Sequence, residues 1–174
     1  AEKTGLIEPL GMFVLQSACE RARQWPDINI AVNISPVQLR NPSFAAQVAG
    51  VLDSAGIEPA RLTLELTEGY LIQNPQRARQ SIERLKALGV KIALDDFGSG
   101  FSSIGYLRQF GFDRLKIDRS MVSGIDENDA ARSLLEATTA LARSLGIPVT
   151  AEGVERESQA HVLLDCGCDE LQGY

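Results

Sequence analysis

The stretch Val90-Lys-Ile-Ala-Leu-Asp-Asp-Phe-Gly-Ser-Gly100 decides how this chain is read. Val90 to Leu94 has the aliphatic make-up of a short buried strand. The strand ends on two adjacent carboxylates, Asp95 and Asp96, and Gly98 and Gly100 bracket Ser99 immediately behind them. Two acids side by side repel each other unless something positive sits between them. A divalent cation fills that place, because one Asp can bridge two ions while its neighbour holds the second. Asp and Gly are also common turn residues, so this segment alone is equally compatible with a solvated turn.

Outward from it, strands and helices alternate. The first helix is expected over residues 6–24, with Leu6, Leu10, Phe13 and Val14 as its apolar stripe and Trp25-Pro26 as its stop. A strand over Ile28–Ser35 follows, ended by Pro36, then a helix over Ala45–Ala55 closed by Gly56. The next strand is Leu62–Thr67, closed by Glu68, and its helix starts at Pro75 and reaches Leu88 before Gly89. After the central strand, Val90–Asp96, come a helical turn over Ile104–Phe110, a strand over Arg114–Asp118 and a polar loop. Asp129 is expected to cap a helix to Ser144, with Leu134, Leu135, Leu141 and Leu145 as its stripe. A fifth strand over Ile147–Val154, a helix over Glu157–Leu164 and a sixth strand over Gly167–Tyr174 complete the chain.

This alternation implies a parallel sheet with right-handed crossovers. The two faces of the strands are unequal. One is Ile, Val and Leu; the other carries Asn33, Glu65, Asp95, Lys116, Asp118 and Glu152, all near carboxyl ends. An open sheet with helices on both sides would be apolar on both faces. A closed (β/α) barrel gathers its polar residues at the carboxyl-terminal mouth, so the barrel is the preferred reading. Eight strands need roughly 250 residues, and the six found here leave the barrel incomplete.

Composition narrows the function. Of 174 residues, 44% are apolar and 23% charged, the balance of one globular domain. No apolar run approaches the roughly 18 residues of a membrane span, and no secretion signal opens the chain. A net charge of −6 argues against nucleic-acid polymers and anionic membranes as partners. An anionic small ligand remains compatible if metal ions supply positive charge. Cys19, Cys166 and Cys168 form no disulfide framework, which fits a reduced, cytoplasmic setting, and the Cys-x-Cys pair reads as core.

The mouth would gather Asn33, Glu65, Asp95, Asp96, Lys116, Asp118, Glu152 and Gln172. Hard oxygen donors select Mg²⁺ or Mn²⁺ over Zn²⁺. The single histidine, His161, lies on a helix away from the strand ends, so Ser–His and Cys–His catalysis lack a base. Adjacent acids on one strand point to opposite sides, which suits a glycosidase acid pair poorly. They suit a two-metal cluster that activates water for in-line attack at phosphorus, with Lys116 orienting that water or neutralising developing charge. Asp96-Phe-Gly98 lacks the companion loops of a kinase, and Gly98-Ser-Gly100 lacks the Gly-Lys-Ser/Thr ending of a P-loop.

Taken together, seven stretches resemble the EAL-domain family of bacterial cyclic di-GMP phosphodiesterases. They are Ala1-Glu-Lys-Thr-Gly-Leu-Ile7, Val32-Asn-Ile-Ser35, Glu65-Leu-Thr-Glu68, Asp95-Asp-Phe-Gly-Ser-Gly-Phe-Ser-Ser103, Leu115-Lys-Ile-Asp-Arg119, Ala151-Glu-Gly-Val-Glu155 and Gln172-Gly-Tyr174. The resemblance implies a modified TIM barrel, incomplete at both ends in residues 1–174, that hydrolyses cyclic di-GMP to linear pGpG with two Mg²⁺ or Mn²⁺ ions. It implies Asn33, Glu65 and Asp95 as ligands of the first ion and Asp95, Asp96 and Glu152 on the side of the second. Glu152 is implied as general base, Lys116 as the contact of the attacking water, and Asp118 and Gln172 as site-lining residues. Glu68 is implied as the anchor of the glycine loop. A homodimer, and GGDEF or sensory domains in a full-length protein that is itself cytoplasmic or membrane-anchored, also belong to the expectation.

The Glu-Ala-Leu that names the family is absent from this sequence. The expectation is that it precedes Ala1, together with the first two strands, and that a further segment follows Tyr174. Residues 1–174 alone are then expected to be inactive for want of a metal ligand. Two alternatives are a receptor that binds cyclic di-GMP without cutting it, and an enolase-like barrel enzyme with Lys116 as base.

Overall fold

The computed structural model describes residues 5–73, 75–99 and 104–174. Its backbone falls into two compact units, Ala1–Ile92 and Ala93–Tyr174.

The first unit opens on α1 (Ile7–Ala22), followed by β1 (Ile30–Asn33), α2 (Pro36–Arg40), α3 (Phe44–Ala55), a 3₁₀ turn (Pro59–Arg61), β2 (Leu62–Thr67), α4 (Glu68–Gln73) and α5 (Pro75–Ala87). β1 and β2 pair in parallel, from Ile30 opposite Leu62 to Asn33 opposite Glu65. The apolar stripe of α1 differs from the expected one. Leu15, Cys19 and Ala22 are buried, whereas Leu6, Leu10, Phe13 and Val14 are 44–64% exposed. Both sets have helical spacing, and the face with Leu15, Cys19 and Ala22 is buried where α1 packs on α3 and β1. Gly11 serves the approach of α1 to the next helix in the chain: a Cβ there would run into the buried Gln38 side chain.

α2 was not expected after Pro36. Its signal is a capping box: Ser35 Oγ accepts from Val37 N at 3.1 Å, and Gln38 Oε1 accepts from Ser35 N at 3.1 Å. Gly56 ends α3 with φ 63°, as expected. Arg61 closes the turn into β1 by donating to the carbonyls of Ala22, Trp25 and Ile28 at 2.7–3.2 Å.

The second unit runs through β3 (Lys91–Phe97, begun at the end of the first), α6 (Ile104–Phe110), β4 (Arg114–Ile117), α7 (Arg119–Val122), α8 (Asp129–Ser144), β5 (Val149–Val154), α9 (Glu157–Asp165) and β6 (Glu170–Gly173). β3, β4, β5 and β6 pair in parallel in that order, the pattern expected of βα repeats. Both strand faces are covered. Leu94, Leu115 and Ile117 fill one, and Ala93, Lys116 and Thr150 lie buried on the other.

Two expectations change here. Asp118 does not extend β4; it caps α7, which occupies the start of the expected polar loop. α8 is capped by Asn128, whose Oδ1 accepts from Ala130 N and Ala131 N at 3.0 and 3.1 Å, with Asp129 as first helical residue. Its buried face is Leu135, Thr138, Thr139 and Ala142, while Leu134 is 59% exposed. The threonines can be buried because their hydroxyls are used: Thr138 donates to Leu134 O at 2.9 Å and Thr139 to Cys166 O at 2.5 Å.

All three cysteines are free and buried, as the core reading expected. Burial pushes the Cys168 thiol up to about 12. His161 is exposed, with Nδ1 2.9 Å from Glu157 O. Among the described residues, no helix is long and apolar enough to cross a membrane.

Candidate active site

Among the described residues, β4 supplies the cation that meets the strand-end acids, Lys116. Lys116 is 6% exposed, and its Nζ lies 2.5 Å from Glu152 Oε1 on β5 and 3.4 Å from Asp95 Oδ1 on β3. An ammonium this buried needs acid partners, and the two neighbouring strands each supply one.

Both of those strands are bulged at the acid. From Leu94 to Phe97, β3 advances three residues while β4 advances two, from Leu115 to Ile117. The extra residue is taken up at Asp96, whose φ of 57° makes it the one non-glycine with positive φ among the described residues. Asp tolerates that region better than most side chains. In β5, Glu152 faces Gln172 and Val154 faces Gly173, so Gly153 is the extra residue, with φ 70°. The bulge overturns the expectation that Asp95 and Asp96 point to opposite sides. One carboxylate oxygen each of Asp95, Asp96 and Glu152 lies within 4.8 Å of the others.

The electrostatics follow from crowding. Burial raises the Asp96 carboxyl above its ordinary range, and the charges of Asp95, Asp118 and Glu152 push the same way while Lys116 opposes them. Asp118 lies outside the three-oxygen cluster. Its Oδ1 accepts from Ser120 N at 2.9 Å, and hydrogen bonds from Ser120, side chain first, hold its carboxyl below the usual range. Three carboxylates facing one ammonium leave the cluster negative. The three side chains offer carboxylate oxygens only, the hard donors that Mg²⁺ and Mn²⁺ take.

The other predicted residues fall as follows. Gln172 sits on β6 opposite Glu152 in register and is exposed. Asn33 and Glu65 are side by side at the carboxyl ends of β1 and β2, Asn33 exposed and Glu65 7% exposed. Glu68 is buried at the start of α4. The glycine loop leaves Asp96 through a turn in which Ser99 N and Oγ both donate to Asp96 O, at 3.2 and 2.8 Å. Its remainder, Gly100 to Ser103, lies outside the described residues, as do Ala1 to Thr4 of the opening motif. Sequence reasoning missed Gly153, although a glycine inside a strand pattern is itself a bulge signal. A cleft of about 570 Å³ lined by Met12, Gln16, Gln47, Val51 and Ser54 lies apart from this chemistry, on α1 and α3.

Comparison with known proteins supplies the family. The EAL domain model matches residues 1–174. The chain is 51% identical to an uncharacterized signaling protein of Caulobacter vibrioides, over 100% of this chain and 22% of that protein. It is 40% identical to the bifunctional diguanylate cyclase/cyclic di-GMP phosphodiesterase MucR of Pseudomonas aeruginosa, over 100% of this chain and 26% of that protein. Thus it spans about a quarter or less of these relatives. The solved MucR phosphodiesterase in complex with c-di-GMP superposes with a TM-score of 0.94 at 39% identity, covering 99% of this chain and 72% of that one. The fold class is the α/β, modified TIM-barrel class of those structures, and the chain belongs to the EAL domain family.

Proposed function

We propose that this chain is the phosphodiesterase domain of a cyclic di-GMP hydrolase, which opens one phosphodiester of the ring to give linear pGpG. The observation that carries the reading is the Asp95–Asp96–Glu152 cluster around Lys116, at the carboxyl ends of parallel strands in an EAL-family chain. That MucR, a relative, is a cyclic di-GMP phosphodiesterase and is solved with c-di-GMP supports the choice of substrate.

Asp95, Asp96 and Glu152 are the residues that would hold divalent cations. Asn33 and Glu65 are proposed as further ligands on the strength of the family motif. Cations held there supply Lewis acidity toward the phosphate and a water of lowered pKa. Glu152 accepts the proton of the attacking water. Lys116, already hydrogen-bonded to Glu152, orients that carboxylate and offsets the negative charge that grows at phosphorus. The water's hydroxyl joins phosphorus, the bond to the ring's bridging oxygen breaks, and that oxygen takes a proton from solvent while Glu152 returns its own to solvent. Asp118 and Gln172 line the site, and Glu68 anchors the glycine loop. The relatives' longer chains support the expectation of partner domains, and the homodimer stays part of the proposal.

The test is the release of pGpG from cyclic di-GMP by the protein as the cell makes it, with Mg²⁺ or Mn²⁺ and with EDTA. Turnover that needs the cation and is lost in Asp95→Asn supports the reading. Cyclic di-GMP binding with no turnover under any cation would replace it with the receptor reading.

A further inference from the structure

We propose that Arg119, lying over the bulged Gly153, is a positioning residue that aims Glu152; the proposal rests on the phosphodiesterase reading above. Glu152 must point at Lys116, and its direction is set by the bulge that follows it. Gly153 has φ 70° and no side chain. The space a Cβ would take is filled by the Arg119 stem: such a Cβ would stand 2.6 Å from Cγ, 2.8 Å from Cβ and 3.0 Å from Cδ of Arg119. The stem therefore closes over the bulge and leaves it one arrangement.

Arg119 is itself placed twice over. Asp118, just before it, donates its N–H to Phe97 O at 3.1 Å and caps α7 through Ser120 N. α7 packs along β5. Beyond the bulge, Arg119 Nη2 reaches Glu155 Oε1 at 2.5 Å. Two ion pairs, Lys116–Glu152 and Arg119–Glu155, each displaced by three residues from the other, thus bracket Gly153. The far side is strapped as well. Gln159 Oε1 accepts from the backbone N–H groups of Glu155 and Arg156 at 2.9 and 3.0 Å, and Asp126 accepts from Arg156 Nη2 and Ser158 Oγ at 2.6 and 2.5 Å.

Magnitudes separate the stem from the charge. The Arg119–Glu155 pair is half exposed, at 64% and 48% of the side chains. A pair that wet contributes little by itself. The packed stem should therefore matter more than the guanidinium, and Lys should substitute where Ala does not. A misplacement near 1 Å of a catalytic group lowers turnover about 100-fold.

The experiment measures kcat and KM for Arg119→Ala, Arg119→Lys and Gly153→Ala in the full-length protein, with the crystal structure of Arg119→Ala. Arg119→Ala and Gly153→Ala are expected to lose about 100-fold in kcat with KM little changed. Arg119→Lys should keep kcat near wild type, and Glu152 should leave Lys116 in the Arg119→Ala crystal. Wild-type kcat in Arg119→Ala, an equal loss in Arg119→Lys, or an unmoved Lys116–Glu152 contact overturns the proposal. If Gly153→Ala does not fold, the two Arg119 variants decide. A wild type that releases no pGpG sinks the phosphodiesterase reading instead, and the crystal distance then decides the clamp alone.

Discussion

β4 carries two cations two residues apart, and they meet acid in opposite ways. Arg114 pairs with Glu170 at 2.5 Å, with side chains 28% and 58% exposed, and donates to Thr150 Oγ1 at 2.6 Å. Lys116 faces Glu152 and Asp95 with side chains only 7%, 21% and 11% exposed, and Asp96 joins the same cluster. The first arrangement is one cation to one carboxylate, partly open to water and neutral as it stands. The second is one cation to three carboxylates, largely out of water, and is neutral only with more positive charge. Charge imbalance, rather than the presence of an ion pair, distinguishes the proposed site from a structural contact on the same strand.

Five substitutions probe that contrast. The largest effect is expected at the cluster's acids: Asp95→Asn or Glu152→Gln should lower kcat for pGpG release by about 10³-fold, measured at saturating cation and substrate. Lys116→Met comes next. It strands buried carboxylates, which should cost about 3 kcal/mol in the cation-free protein by urea unfolding, and added Mg²⁺ should restore part of that loss.

Asp96→Asn tests the crowding directly. Its carboxyl is raised in the fold, by burial first and then by its acid neighbours. At low pH both folded and unfolded states hold the proton and the carboxylate carries no penalty. As pH rises through the folded value, the penalty becomes complete. In EDTA, Asp96→Asn should therefore be more stable than wild type at neutral pH, with the gain shrinking toward about pH 4, while turnover is lost throughout. The smallest effect belongs to the half-exposed pair: Arg114→Met should change unfolding free energy by about 1 kcal/mol and leave kcat unaltered. A large kinetic loss there would erase the contrast between the two cations.

The sequence was most legible where periodicity is strong. The parallel strands and their helices, and the carboxylates at strand ends, could be read from alternating Ile, Val and Leu against Asn33, Glu65, Asp95, Lys116 and Glu152. What escaped was local geometry. Asp95 and Asp96 share a site only because Asp96 takes positive φ in a bulge, and nothing in the pair of letters announces that. In α1 two stripes had equal claim by spacing, and packing chose Leu15, Cys19 and Ala22. In α8 the buried Thr138 and Thr139 were invisible to an apolar count: the Thr138 hydroxyl is satisfied one turn back in its own helix, and that of Thr139 by the Cys166 carbonyl, which only the fold brings near. The short helix α7 hid behind Asp118, which continues the strand pattern yet caps a helix.

The central claim is that the acids around Lys116 form a hard-cation site. Anomalous diffraction from crystals grown with MnCl₂ and cyclic di-GMP tests it most directly. A manganese peak is expected within bonding distance of the Asp95, Asp96 and Glu152 carboxylates, absent in Asp95→Asn. Cyclic di-GMP bound to the protein with no manganese at those oxygens would contradict it.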